Sequence, residues 1–183
     1  MNLRTIGSVE LTSIAVGMHV ADEMVKSANV DLVMARPACP GHYLIIVAGD
    51  TGSVTTAVQT GRDIGKKTVI DWFTIPSIHP SVIPALSGTS LAPEITALGV
   101  IETYTTVSCI LAADAAAKAG MVDLIEIRSA SGLGGKAFVT MTGDVGSVEA
   151  SVAAGVAGVG DSGPVASHVV IPSPSQELKQ KLL

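Results

Sequence analysis

The chain has 183 residues, of which 48% are apolar, 15% charged and only 3% aromatic, with a formal net charge of −5. That length suits one ordinary domain or two small ones, and the apolar content excludes a disordered chain. The acidic balance and the lack of a basic run argue against nucleic acid as a partner, because phosphate neutralisation needs clustered Lys or Arg.

Mean hydropathy is high, at +0.52. Yet no uninterrupted apolar stretch approaches the roughly 18–20 residues that span a bilayer, and Met1 to Thr5 lacks the apolar core of a secretory signal. The core is built mainly from Ala, Val, Ile and Leu, which bury little area each, so association between subunits accounts for the surplus hydrophobicity better than a membrane does. Two cysteines, Cys39 and Cys109, make no disulfide framework and fit a reducing, cytosolic compartment.

Taken in order, Ile6 to Leu11 is β-prone. Ser13 to Ser27 carries Ile14, Met18, Ala21 and Val25 at helical spacing, with Thr12 or Ser13 as the cap. Val30 to Ala35 and Tyr43 to Ala48 read as strands, joined by a loop holding Pro37, Pro40 and Gly41. Asp50 or Ser53 opens a second helix with Val54, Ala57, Val58 and Gly61 on one face, and Val69 to Ile75 is a fourth strand. His79 to Leu86 is a short helical tail whose length Pro84 limits. The order is β-α-β-β-α-β, a ferredoxin-like arrangement.

The whole unit is then written again. Ile6-Gly7-Ser8-Val9-Glu10 returns as Leu98-Gly99-Val100-Ile101-Glu102. Asp22 and Lys26 return as Asp114 and Lys118, and Val30-Asp31-Leu32 as Val122-Asp123-Leu124, all 92 residues on. Gly49-Asp50 and Gly52-Ser53-Val54 return 94 residues on, as Gly143-Asp144 and Gly146-Ser147-Val148, so the second copy has two extra residues in its loop. Ile75-Pro76-Ser77 returns as Ile171-Pro172-Ser173. Ser87 to Pro93 is the linker, and Gln176 to Leu183 reads as a solvated helical turn.

The pattern Gly7-x-x-Glu10, Asp22-x-x-x-Lys26-x-Ala28-Asn29-Val30 and Gly49-Asp50-x-Gly52-x-Val54, present twice, resembles the bacterial microcompartment shell domain. Two unpermuted copies in one chain resemble the tandem-domain, trimeric members of that family, with domains at 4–87 and 96–183. The loop Cys39-Pro40-Gly41 resembles the propanediol-utilisation type. The resemblance implies two tandem ferredoxin-like domains of α+β sandwich type and a pseudohexameric homotrimer. It implies a tile that joins other shell proteins edge to edge in the shell within the bacterial cytoplasm, without catalysis. It places Lys26 and Lys118 at the assembly edge. It also implies a pore lined by Ala38, Cys39, Pro40 and Gly41 of one copy and Ser131, Gly132, Leu133 and Gly134 of the other, with Cys39 as metal ligand. Pro172-Ser173-Pro174-Ser175 departs from the Pro-Arg-Pro-His motif of single-domain relatives.

If the Cys39 loop faces a threefold axis, three thiols meet there. Three thiolates suit one [4Fe-4S] cluster per trimer better than a structural zinc site, which needs four protein ligands. Such a tile could relay electrons across the shell to an encapsulated redox enzyme. The alternative is a cluster-free tile whose pore conducts small metabolites; a ferredoxin-like enzyme or small-molecule sensor is a third reading. Cys109, among apolar neighbours, reads as a buried, inert thiol. His42 could line the pore, hydrogen-bond near a cluster or lie on the surface. His19, His79 and His168 have no metal-binding spacing. Ser131 to Lys136 is Gly-rich but fails as a phosphate loop, because Ala130 stands at the first glycine, Ala137 follows the lysine, and a strand follows rather than a helix.

Overall fold

A computed structural model describes residues 5–90, 94–129, 132, 134–160 and 165–182. The first copy runs β1 (Thr5–Leu11), α1 (Ile14–Ser27), β2 (Asp31–Ala38), β3 (His42–Gly49), α2 (Thr51–Gly65), a 3₁₀ turn at Lys66–Thr68, and β4 (Val69–Pro76). A short helix, α3 (Val82–Ser87), follows. The second copy runs β5 (Ala97–Thr103), α4 (Thr106–Ala119), β6 (Asp123–Arg128), β7 (Ala137–Gly143), α5 (Val145–Gly158) and β8 (Val165–Ile171), then α6 (Gln176–Leu182). Each copy forms an antiparallel four-stranded sheet, ordered β2-β3-β1-β4 and β6-β7-β5-β8, which is the ferredoxin-like order.

The chain divides into two compact units. One extends to Ile78 and includes Gly132, Gly134 and Gly135; the other comprises His79–Ser129 and Lys136 onward. The first copy's tail, with α3, therefore belongs to the second unit.

The duplicated residues explain why both copies fold alike. Gly7 of β1 and Gly99 of β5 leave room for the second helix of their copy. A Cβ on Gly7 would lie 2.4 Å from a Val58 methyl, and one on Gly99 2.8 Å from a Val148 methyl. In the first unit Val9, Leu11, Val20, Met24, Tyr43, Ile45, Val54 and Val58 close the core beneath α1 and α2. In the second, Ile101, Ile110, Val139, Met141, Val148 and Val152 are buried at the corresponding level.

One expectation is overturned. The helical spacing of Ile14, Met18, Ala21 and Val25 puts them on one face of α1, but the buried residues are Gly17, Val20, Ala21 and Met24. Ile14, Met18 and Val25 are exposed. The reason is Gly17: a Cβ there would come within 2.4 Å of Tyr43, so the helix lies with its glycine against that ring.

The caps are also duplicated. Ser13 Oγ accepts the Val16 amide and Thr105 Oγ1 the Ser108 amide. Asp50 Oδ1 accepts the Ser53 amide at 2.9 Å, and Asp144 Oδ1 the Ser147 amide at 3.0 Å. Hydrogen bonds from the Ser53 and Ser147 hydroxyls, then from those amides, hold both carboxyls below the ordinary value of 3.8. A depressed native value means a contribution fully present above the unfolded value and lost as pH falls through the native one. The urea midpoint should therefore fall between about pH 5 and about pH 2, and fall less steeply in Asp50→Asn/Asp144→Asn, which keeps a capping oxygen without a titrating one.

Candidate functional site

β2 and β3 form a hairpin in which Ala38 pairs with His42, so Cys39, Pro40 and Gly41 make its tip. Pro37 is tolerated in β2 because β2 is an edge strand. The Cys39–Pro40 peptide bond is cis, and Gly41 takes φ +90° to close the turn. Ala38 is buried, Cys39 half-buried, and Pro40 and Gly41 exposed.

The Gly-rich segment of the second copy meets this tip within the first compact unit. The Gly132 amide donates to Cys39 Sγ at 3.4 Å. Gly135, at φ +95°, is so close to Pro40 that a Cβ would stand 3.0 Å from its ring. Gly132 and Gly134 are exposed at positive φ. Ser131 and Leu133, also expected at the pore, lie outside the described residues, as do Met1 to Arg4 and Leu91 to Pro93 of the linker.

Cys109 lies in α4, fully buried, and burial pushes its thiol up to about 12. Among the described residues no group of three or more His, Cys, Asp or Glu could hold a metal ion. One chain therefore supplies a single accessible thiol, Cys39.

His42 does not line the tip. Its Nδ1 lies 3.0 Å from Oε1 of Glu10, which is fully buried in β1. The second copy repeats the arrangement with a different basic residue: Lys136 Nζ lies 3.2 Å from Glu102 Oε1. Each loop thus re-enters its sheet through a basic residue tied to the first strand. This pair was missed in the sequence, although its signal was there. Glu10 and Glu102 repeat at 92 residues, and a basic residue follows each loop at the 94-residue offset.

Lys26 is exposed and paired with Asp22, with Glu23 Oε1 at 3.5 Å; Lys118 pairs with Asp114 at 2.6 Å. Asp22 and Asp114 therefore serve as partners of the helix lysines, Asp22 exposed and Asp114 buried, and Asp50 and Asp144 as caps.

Two sheets of one topology, each faced by two helices and each carrying a hairpin loop of its own, define a duplicated ferredoxin-like chain. The BMC domain family matches at residues 5–78 and again at 97–174. The chain belongs to that family, the bacterial microcompartment shell proteins. It is 38% identical over 180 residues to the bacterial microcompartment shell protein PduT of Citrobacter freundii, covering 98% of each chain. It is 36% identical over 86 residues to the shell protein PduA of the same organism, covering 45% of this chain and 90% of that one. Among solved structures, a microcompartments protein from Desulfitobacterium hafniense DCB is 49% identical, with a TM-score of 0.86 over 96% of this chain and 98% of the other. Among the described residues no helix is long and apolar enough to cross a membrane.

Two measurements check this geometry. In native protein at about pH 8 a thiol reagent should label Cys39 and not Cys109, which should react only on unfolding, because thiolate fraction and access set the rate. Replacing His42 with Ala should cost about 1–3 kcal/mol in urea denaturation by removing a partner from a buried carboxylate. His42→Lys, which copies the second unit, should recover most of that loss.

Proposed function

We propose that this chain is a structural tile of a bacterial microcompartment shell, a homotrimer whose six domains form a pseudohexamer. The observation that carries the reading is unequal burial of duplicated positions. Ile14, Met18 and Val25 of α1 are exposed, whereas their counterparts Thr106, Ile110 and Ala117 of α4 are buried. On the sheets the inequality is reversed: Phe73 of β4 is 4% exposed and its counterpart Val169 of β8 is 47% exposed. The chain thus presents an exposed helix face on one unit and a partly exposed sheet face on the other. Exposed apolar surface of this kind marks an interaction site. Two different exposed faces on one chain call for a heterologous, head-to-tail contact, which gives a ring where the rotation closes. The number three follows the family resemblance, since three chains supply six domains. Lys26 and Lys118 sit at the tile edges, towards other shell proteins.

At the ring axis the Cys39 loops converge, with Ala38, Pro40, Gly41 and the Gly-rich loops around the opening. Three Cys39 thiolates would hold one [4Fe-4S] cluster, which would supply one-electron transfer across the shell to an encapsulated redox enzyme. The residues fit that group as one third of a site each. Cys39 is at the loop tip, the Gly132 amide is aimed at its sulfur, and hydrogen bonds to sulfur tune such clusters. The role is structural and electron-relaying rather than catalytic.

The test is native mass together with iron and acid-labile sulfide on protein purified without oxygen. The expected result is three chains carrying about four irons per trimer, absent from Cys39→Ser. A trimer without iron in either protein would remove the redox role and leave a tile with a thiol-lined metabolite pore. A single-chain mass would overturn the tile itself.

A further inference from the structure

We propose that α6 of one chain seats on α1 and β2 of a second copy, as α3 seats on α4 and β6. The proposal rests on the homotrimer reading above and names the segment that covers its bare helix face.

The second unit shows the filled seat. α3 packs on β6 and α4. Its Val82, Ala85 and Leu86 are buried, and so are Leu124 and Ile125 of β6. The seat is fixed by a polar contact: Asp114 takes Lys118 on Oδ2 and the His79 amide, at 2.7 Å, on Oδ1. The first unit contains the same seat with nothing described on it. Leu32 and Val33 of β2, the counterparts of Leu124 and Ile125, are 47% and 37% exposed. Asp22, the counterpart of Asp114, takes Lys26 through Oδ2. Its Oδ1 is the position that a tail amide would occupy.

The chain also contains a second tail of the right pattern. From Ile75-Pro76-Ser77 to Ile171-Pro172-Ser173 the offset is 96 residues, which places Ser175 opposite His79, Leu178 opposite Val82 and Leu182 opposite Leu86. Two of the three residues that α3 buries therefore have apolar counterparts in α6, and the third, Ala85, has Lys181. Lys179 of α6 complements the exposed Asp22 and Asp31 beside the seat. In the single chain α6 is only partly housed. It buries none of its seven residues; Leu182 packs against Ile95, Leu98 and Ile125, while Leu178 and Leu182 line an open groove of about 440 Å³ with Leu98, Val100, Phe138 and Ile171. A helix of this length needs packing to persist. Because the first copy's tail lies on the second copy, the second copy's tail finds its next first-copy domain on another chain of the ring.

The test uses the full chain in a Cys39→Ser background, with Asp22→Cys and Ser175→Cys combined and each alone. Both positions are exposed. Under mild oxidation the pair should give reducible covalent oligomers of up to three chains, which neither single variant forms. Deleting residues 175–183 should raise the concentration at which the trimer dissociates by about tenfold or more. A trimeric native mass with an intrachain disulfide or none, and an unchanged dissociation concentration, would overturn the exchange and leave the trimer standing. A single-chain mass before any substitution would overturn both.

Discussion

The structure depends on one constraint: an apolar face that exists twice in the chain is covered only once. Each ferredoxin-like unit buries one side of its sheet under two helices, and its other apolar surfaces need neighbours. In the second unit, α4 and β6 carry α3, and ten of the fourteen positions of α4 are buried. In the first, α1 and β2 hold similar apolar residues in the open. With so few aromatic side chains, each unit has modest area to bury alone. Surface left bare by one chain is thus a sizeable part of what association could contribute.

Within each unit, by contrast, the structure is self-sufficient and repetitive. The glycine on the first strand admits the second helix, an Asx cap opens that helix, and a basic residue ties the strand after the loop to a glutamate on the first strand. These devices are local and occur in both copies, so the scaffold around the two loops is the same although the loops differ. The Cys39 tip and the Gly-rich segment are variable inserts held by a fixed frame.

The frame was largely legible in the sequence. The offsets of 92 and 94 residues give the two units, and every strand appears within a few residues of its expected place. β2 runs on to Ala38, past Pro37, because an edge strand has no partner on one side that a missing amide would offend. The face of α1 was misread because that helix has two apolar stripes, and a hydrophobic pattern gives a glycine no weight. Gly17 against Tyr43 decides which stripe turns inward, and that is a shape match between distant residues. The stripe chosen from the sequence is the one left outside, so the error itself points to a second surface with a use. For the site, Cys39 stood out by type and loop chemistry. Its contact with Gly132, 93 residues away, depends on where two loops of different copies end up, and no spacing within either loop encodes it.

The two loops have a genetic consequence. In a chain with a single domain there is one such loop, and any substitution in it is imposed on every copy of that domain. Here the Cys39 loop and the Gly132–Gly135 loop are encoded separately on equivalent frames. One can acquire a reactive side chain while the other stays small and permissive. Duplication has made the two loops independently heritable, so one copy's loop can change without forcing the same change on the other's.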